Sequence, residues 1–184
     1  MIKSEMQFED FNLVSVMQHA ARWYGQTEVV TDSVEGGIKR ISYENLYKRV
    51  GQLAHALKRL GVEPGDRVGT MAWNTWRHLE CWYAIAGSGA ICHTLNPRLS
   101  PDQIDYISNH AENRWLFVDS NILPVIENVM GRLRFLEGIV VMTDKENMPD
   151  VSSVDVPVHC YEELIDSEPE TFEWPKISED TASS

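Results

Sequence analysis

The residues able to do chemistry in this 184-residue chain are few, and most are badly spaced for it. Asn96-Pro97-Arg98 is the exception. It follows a short apolar run, Ile91 to Leu95, and leads into Ser100-Pro101, a helix start. Free backbone N–H groups of that helix would point back toward Arg98, which makes a candidate anion site. The alternative is a rigid Asn-Pro turn with a solvated arginine. Cys92-His93 lies on the preceding strand, where neighbouring side chains point to opposite faces, so the two cannot form a nucleophile–base dyad. His93 is either a site residue or, more simply, a hydrogen-bonded histidine at a strand end. No G-x-S-x-G elbow and no G-x-x-x-x-G-K-[ST] loop occurs. The six histidines and three cysteines show no metal-ligand spacing. Trp73-Asn74-Thr75-Trp76 stands where a doubly wound sheet would carry its phosphate loop, and it has no glycine. Trp73, Trp76, Trp82 and Tyr83 read as packing groups, because a base-stacking platform would want more cations than Arg77 alone.

The elements that must position these residues are well punctuated. Asn12–Tyr24 reads as a helix with Leu13, Val16, Met17, Ala20 and Tyr24 inward. Two short strands around Glu35-Gly36-Gly37 make a hairpin. Ser42 caps a helix running to Leu60, with Leu46, Val50, Leu53, Leu57 and Leu60 as its buried stripe and Gly61 at its end. From Val62 strands and helices alternate: Val68–Ala72, a helix capped by Asn74, Ile91–Leu95, Pro101–Ala111, Trp115–Val118, Ile122–Gly131 and Gly138–Met142. Ser100 and Gln103 can close a capping box. Gly87-Ser88-Gly89 precedes a strand and reads as a helix stop. Continuous apolar strands between helices predict an α/β fold, a doubly wound and mostly parallel sheet with helices on both faces. Val158–Cys160 reads as a last short strand before a turn of helix at Tyr161–Leu164.

Composition narrows the classes. A net charge of -12 without any Lys/Arg cluster argues against nucleic acid. Residues 161–184 carry eight acidic side chains against one lysine and show no capping or docking signal, so residues 166–184 read as an acidic linker that looks cut rather than terminated. The first residues, Met-Ile-Lys-Ser-Glu-Met, are too polar for a signal peptide, and the run from Trp82 to Cys92 is too short to span a bilayer. Three cysteines in or near apolar segments suit a reducing cytoplasm.

In order along the chain, Ile41-Ser42-Tyr43-Glu44-Asn45-Leu46, Gly61-Val62-Glu63-Pro64-Gly65-Asp66-Arg67-Val68, Gly87-Ser88-Gly89-Ala90 through Pro101, Asn109-His110-Ala111-Glu112 and Tyr161-Glu162-Glu163-Leu164 resemble landmarks of the adenylate-forming (AMP-binding) enzymes. The version resembled is the N-terminal part of medium- and long-chain fatty-acyl-CoA synthetases; Ile41, Ser42 and Asn45 depart from the usual Leu-Thr-Tyr-x-Glu-Leu segment.

The resemblance implies an N-terminal α/β subdomain over residues 1–165 and a lead-in, 166–184, to a phosphate loop that the chain does not contain. It implies a two-step reaction in which a carboxylate and ATP, with Mg²⁺, give an acyl-adenylate, and coenzyme A then displaces AMP. The family's phosphate loop, Thr-x-Glu segment, ribose-binding Asp and C-terminal Lys are absent here, so the chain alone is expected to be an inactive fragment with no tightly bound cofactor. It further implies Arg98 and Asn96 as coenzyme A contacts, and a homodimer with the N-terminal segment at its interface. An aryl-CoA ligase, an amino-acid-adenylating domain, or a non-catalytic flavodoxin-like binding module stand as alternatives.

Overall fold

The computed structural model describes residues 10–184. The expectations placed on residues 1–9 lie outside the described residues. Helix α1 (Leu13–Trp23) opens on the Asn12 side chain, which accepts from the Ser15 N–H. Strands β1 (Glu28–Asp32) and β2 (Ile38–Ser42) pair antiparallel as a separate hairpin. Helix α2 (Tyr43–Arg59) follows, capped by Ser42, and Gly61 closes its end at φ +76°. Then come β3 (Arg67–Met71), α3 (Trp76–Gly87), β4 (Ile91–Thr94), α4 (Pro101–His110), β5 (Trp115–Val118), α5 (Leu123–Glu127), β6 (Gly138–Val141), β7 (Val158–Cys160) and α6 (Tyr161–Asp166).

Strands β3 to β7 form one parallel sheet in the order β4-β3-β5-β6-β7. Alternate residues of its central strand face opposite ways, as the pleat demands. Trp115 and Phe117 pack with α2, α3 and α6, while Leu116 and Val118 pack with α4 and α5. All four are buried, which explains the uninterrupted apolar run. The predicted doubly wound α/β architecture is the one observed. The Ser100–Gln103 capping box is present in both directions.

Three local expectations need correction. Thr75, not Asn74, caps α3, accepting from the His78 N–H; anchoring of the preceding loop at Trp73 delays the helix start by one residue. Helix α1 buries Val14 and Met17 while Val16 and Tyr24 stand exposed, because a helix this short carries two overlapping i, i+3 stripes and packing against α2 and α3 selects one. The expected Ile122–Gly131 helix ends at Glu127 and gives way to a single 3₁₀ turn, Met130–Arg132. Its N-terminus has no side-chain cap, and Asn128, Val129 and Gly131 propagate a helix poorly.

The acidic stretch from Glu168 to Ser184 lies across α2 and α3 and reaches the β4 edge. The Trp174 Nε1–H donates to the Tyr47 hydroxyl (3.1 Å), and the Cys92 N–H donates to the Ser183 carbonyl (2.9 Å). The docking signal missed in the sequence is Phe172-x-Trp174, two aromatic rings spaced to face the same way from an extended chain.

Candidate functional site at the carboxyl edge of the sheet

The chain passes from β3 to β4 on one side, then returns across β3 to β5 on the other. The carboxyl ends of β3 and β5 therefore mark the point where the winding reverses, the place where open α/β sheets bind ligands. Three loops meet at this edge: residues 72–75 after β3, 95–100 after β4, and 119–122 after β5.

The first and third loops are tied together. Asp119, the residue that ends β5, is 1% exposed, and its Oδ2 accepts from the Trp73 N–H at 2.7 Å. The Trp73 indole N–H reaches Asn121 Oδ1 at 3.2 Å, so both ends of Trp73 are held while the residue stays 41% exposed. Burial pushes the Asp119 carboxyl up to about 6, against the Trp73 N–H and the nearby Arg77, which favour the charged form. Asp119 is the acidic residue that directly follows the predicted strand Trp115–Val118. An acidic residue directly after an apolar strand at the reversal point was the available signal. Trp76 is buried and Trp82 and Tyr83 meet edge-on at 5.8 Å, as packing groups should; Trp73 departs from that expectation.

Beside the first loop is an open, mainly apolar cleft of about 370 Å³, walled by Val29, Thr31, Thr75, His78, Leu79 and Trp82. Thr94, at the end of β4, also borders it. The His78 ring hydrogen-bonds to the Thr70 hydroxyl (3.0 Å), and burial lowers its pKa, which favours the neutral ring.

The second loop carries Asn96 and Arg98. Asn96 Oδ1 accepts from the Arg98 N–H at 2.9 Å, closing the turn that presents the arginine. Arg98 is exposed and makes no ion pair among the described residues. The expected bank of free N–H groups at the start of α4 is smaller than the sequence implies. Pro101 has none, and the Gln103 N–H is taken by Ser100 Oγ. Asp102 in that first turn adds a negative charge, which pairs with Arg132 at 2.8 Å. The positive feature of this loop is thus Arg98 itself.

Cys92 and His93 do point to opposite faces. The Cys92 thiol is buried in the α2–α3 side of the core and pushed up to about 11 by burial, which makes it a poor nucleophile. His93 Nδ1 meets Asn113 Oδ1 at 3.0 Å, so the hydrogen-bonded reading of that histidine holds. No group of three or more His, Cys, Asp or Glu side chains suited to a metal ion occurs among the described residues. The edge thus offers a guanidinium, an apolar cleft and a rigid indole, equipment for binding rather than for bond-making.

Residues 17–181 match the family model described as AMP-binding enzyme. The chain is 39% identical to a 3-methylmercaptopropionyl-CoA ligase of Ruegeria lacuscaerulensis, over 98% of this chain and 33% of that protein. It is also 39% identical to a medium-chain-fatty-acid–CoA ligase of Ectopseudomonas oleovorans, over 92% of this chain and 31% of that protein. A long-chain-fatty-acid–CoA ligase of Thermus thermophilus is 44% identical over 77% of this chain and 26% of its own. In three dimensions, an anthranilate CoA ligase solved with anthranoyl-AMP superposes with a TM-score of 0.77 at 22% identity, over 98% of this chain and 32% of that one, a likeness of fold. The chain spans about a third of the length of these relatives. No helix among the described residues is long and apolar enough to cross a membrane. With motifs, topology and these likenesses in agreement over nearly its whole length, this chain belongs to the AMP-binding family of adenylate-forming enzymes.

Proposed function

We propose that this chain is the N-terminal α/β part of an ATP-dependent fatty-acid–CoA ligase, acting in the cytoplasm. The observation that carries the reading is identity of 39–44% to ligases named for fatty or short thioether acids, over most of this chain. In this reading residues 1–165 form the supporting subdomain and residues 166–184 lead toward the phosphate-binding segment. The intact protein activates a carboxylate with ATP and Mg²⁺, and coenzyme A takes the acyl group from the adenylate. Magnesium would supply charge neutralisation at the phosphates when bound with ATP. This chain's part is to hold substrate. Attack between two anions is slow until they are positioned and their charge is balanced, and those groups are not among the residues described here. The chain alone is therefore inactive. The intact protein is a homodimer in this reading.

Arg98 is the residue we assign to coenzyme A, with Asn96 shaping the turn that presents it. Loss of one charge-assisted hydrogen bond of this kind costs about 1.5–3 kcal/mol, or roughly tenfold or more in affinity. In the full-length enzyme Arg98→Ala should raise KM for coenzyme A about tenfold and leave adenylate formation unchanged. Equal loss in both half-reactions would remove the assignment.

The activity itself is tested by pyrophosphate exchange into ATP, with octanoate, benzoate and an amino acid as rival acids. Exchange driven by octanoate in the full-length protein, and none in the 184-residue chain, is expected. Preference for benzoate or an amino acid would move the protein to another branch of the family, and no exchange with any acid would leave a binding module.

A further inference from the structure

We propose that Asp119 is the positioning residue of the carboxyl edge. Its carboxylate replaces its own peptide carbonyl in the β3–β5 ladder, and so fixes the 72–75 loop beside the Arg98 turn for the coenzyme A step. This role rests on the reading of Arg98 as a coenzyme A contact.

Strands β3 and β5 pair in parallel, with Met71 beside Val118. Their last regular rung runs from the Asp119 N–H to the Met71 carbonyl at 3.2 Å. In a parallel ladder the next rung would run from the Trp73 N–H to the Asp119 carbonyl. That carbonyl is already taken. It accepts from the Ile122 and Leu123 N–H groups at 2.9 and 3.2 Å, the turn that starts α5, a helix without a side-chain cap. The Trp73 N–H goes instead to Asp119 Oδ2 at 2.7 Å. One residue thus serves two directions: its backbone starts a helix that leaves the sheet, and its side chain carries the sheet one rung further. The two strands part at the winding reversal with their amides still paired.

The loop hangs on this bond. The Trp73 carbonyl accepts from the Thr75 N–H at 2.8 Å, and Thr75 in turn caps α3. On the other side of β3 the Leu95 N–H donates to the Thr70 carbonyl at 2.7 Å. The turn that carries Asn96 and Arg98 therefore leaves the sheet one strand spacing, about 4.8 Å, from the 72–75 loop. With Asp119 only 1% exposed, water is a poor substitute for its carboxylate. The rungs below Asp119 are backbone bonds that any residue there would make. Removing the carboxylate should therefore free the loop beside Arg98 and leave the strands paired.

Kinetics of the two half-reactions in the full-length enzyme test this, with Asp119→Ala, Asp119→Asn and Arg98→Ala beside the parent. Asp119→Ala should raise KM for coenzyme A about threefold to tenfold, the worth of one lost hydrogen bond, and leave KM for ATP and octanoate in pyrophosphate exchange unmoved. Asp119→Asn keeps an acceptor for the Trp73 N–H and should return KM for coenzyme A close to the parent value. Asn as poor as Ala, or an equal rise in all three KM values, would overturn the proposal. If Arg98→Ala raises KM for coenzyme A and Asp119→Ala does not, the role of Asp119 alone is lost. If neither raises it, the coenzyme A reading of this edge falls and the role falls with it. Should Asp119→Ala fail to fold, Asn121→Ala unties the Trp73 indole at the surface instead. A smaller rise, about twofold, is then expected in KM for coenzyme A only, and no rise would refute the proposal.

Discussion

The two faces of the five-stranded sheet are covered in contrasting ways. Helices α4 and α5 meet one face mostly with apolar side chains, with Ile104 and Ile126 against Leu116, Val118, Ile139 and Val141. On the other face α2, α3 and α6 enclose a chain of charges. Arg49 pairs with Glu80 at 2.6 Å and Glu162 at 2.9 Å; Arg77 pairs with Glu162 at 2.8 Å and with Glu35, at the hairpin tip, at 2.5 Å. The Tyr161 hydroxyl donates to Glu80 at 2.6 Å, and Glu80 is completely buried. Burial pushes the Glu80 carboxyl up while Arg49 pulls it down, and Arg49 and Arg77 together hold Glu162 below the usual carboxylate range despite its burial. One face is thus held mainly by apolar packing. The other adds a register: hairpin, α2, α3 and α6 must all be in place before every one of these charges is paired.

Breaking the charged face should therefore cost most. Arg49→Met strands the Glu80 carboxylate in the core, and a loss of about 3–5 kcal/mol is expected, read as a fall in the urea midpoint at unchanged slope. The double variant Arg49→Met/Glu80→Leu should regain part of it, because an apolar pair of similar volume carries no charge desolvation penalty, although the Tyr161 hydroxyl loses its acceptor. A double variant as unstable as the single one would show that the network stabilises the fold directly.

Asp119 sharpens the contrast at the carboxyl edge, where a buried carboxylate has a hydrogen bond but no ion pair among the described residues. Its folded pKa, about 6, lies above the unfolded value near 3.9, so the folded state holds the proton more tightly. That contribution is fully present below about pH 4 and is lost as pH rises through about 6. Asn at this position keeps an acceptor for the Trp73 N–H and never ionises. Asp119→Asn should gain stability over the parent between pH 4 and 6 and level off above, by on the order of 2–3 kcal/mol at most. Chemical denaturation at several pH values decides it, and a difference independent of pH would mean that the carboxyl titrates alike in the folded and unfolded states.

The smallest effect belongs to the apolar face. Ser100→Ala removes half of the capping box that starts α4 and should cost about 1 kcal/mol, seen as a modest drop in Tm. Because that box also sets where Arg98 sits, the full-length variant should raise KM for coenzyme A by less than Arg98→Ala does.

Much of this was legible along the chain because its signals are local. Ser42, Ser100 and Gln103 announce helix starts within four residues, Gly61 announces an end, and the runs at Trp115–Val118 and Gly138–Val141 can only be doubly covered strands. Arg98 and Asn96 were legible as a turn at a strand end, and the turn forms as expected. Asp119's grip on Trp73 was not, since it joins residues 46 positions apart across the winding reversal. The same holds for the docked acidic stretch: Trp174 is one aromatic among several until Gly87 and Tyr47 are brought beneath it.

The sequence by itself determined the element order, the parallel sheet and the family, since periodicity, caps and motif order act over short stretches. Only the tertiary structure decided which charges are buried together, which tryptophan stays exposed, and that the acidic tail is docked. Those outcomes depend on contacts between residues up to 168 positions apart, such as the Phe11 N–H and the Glu179 carboxylate. The cost of burying a charge or leaving a notch empty is set by what the fold places opposite it.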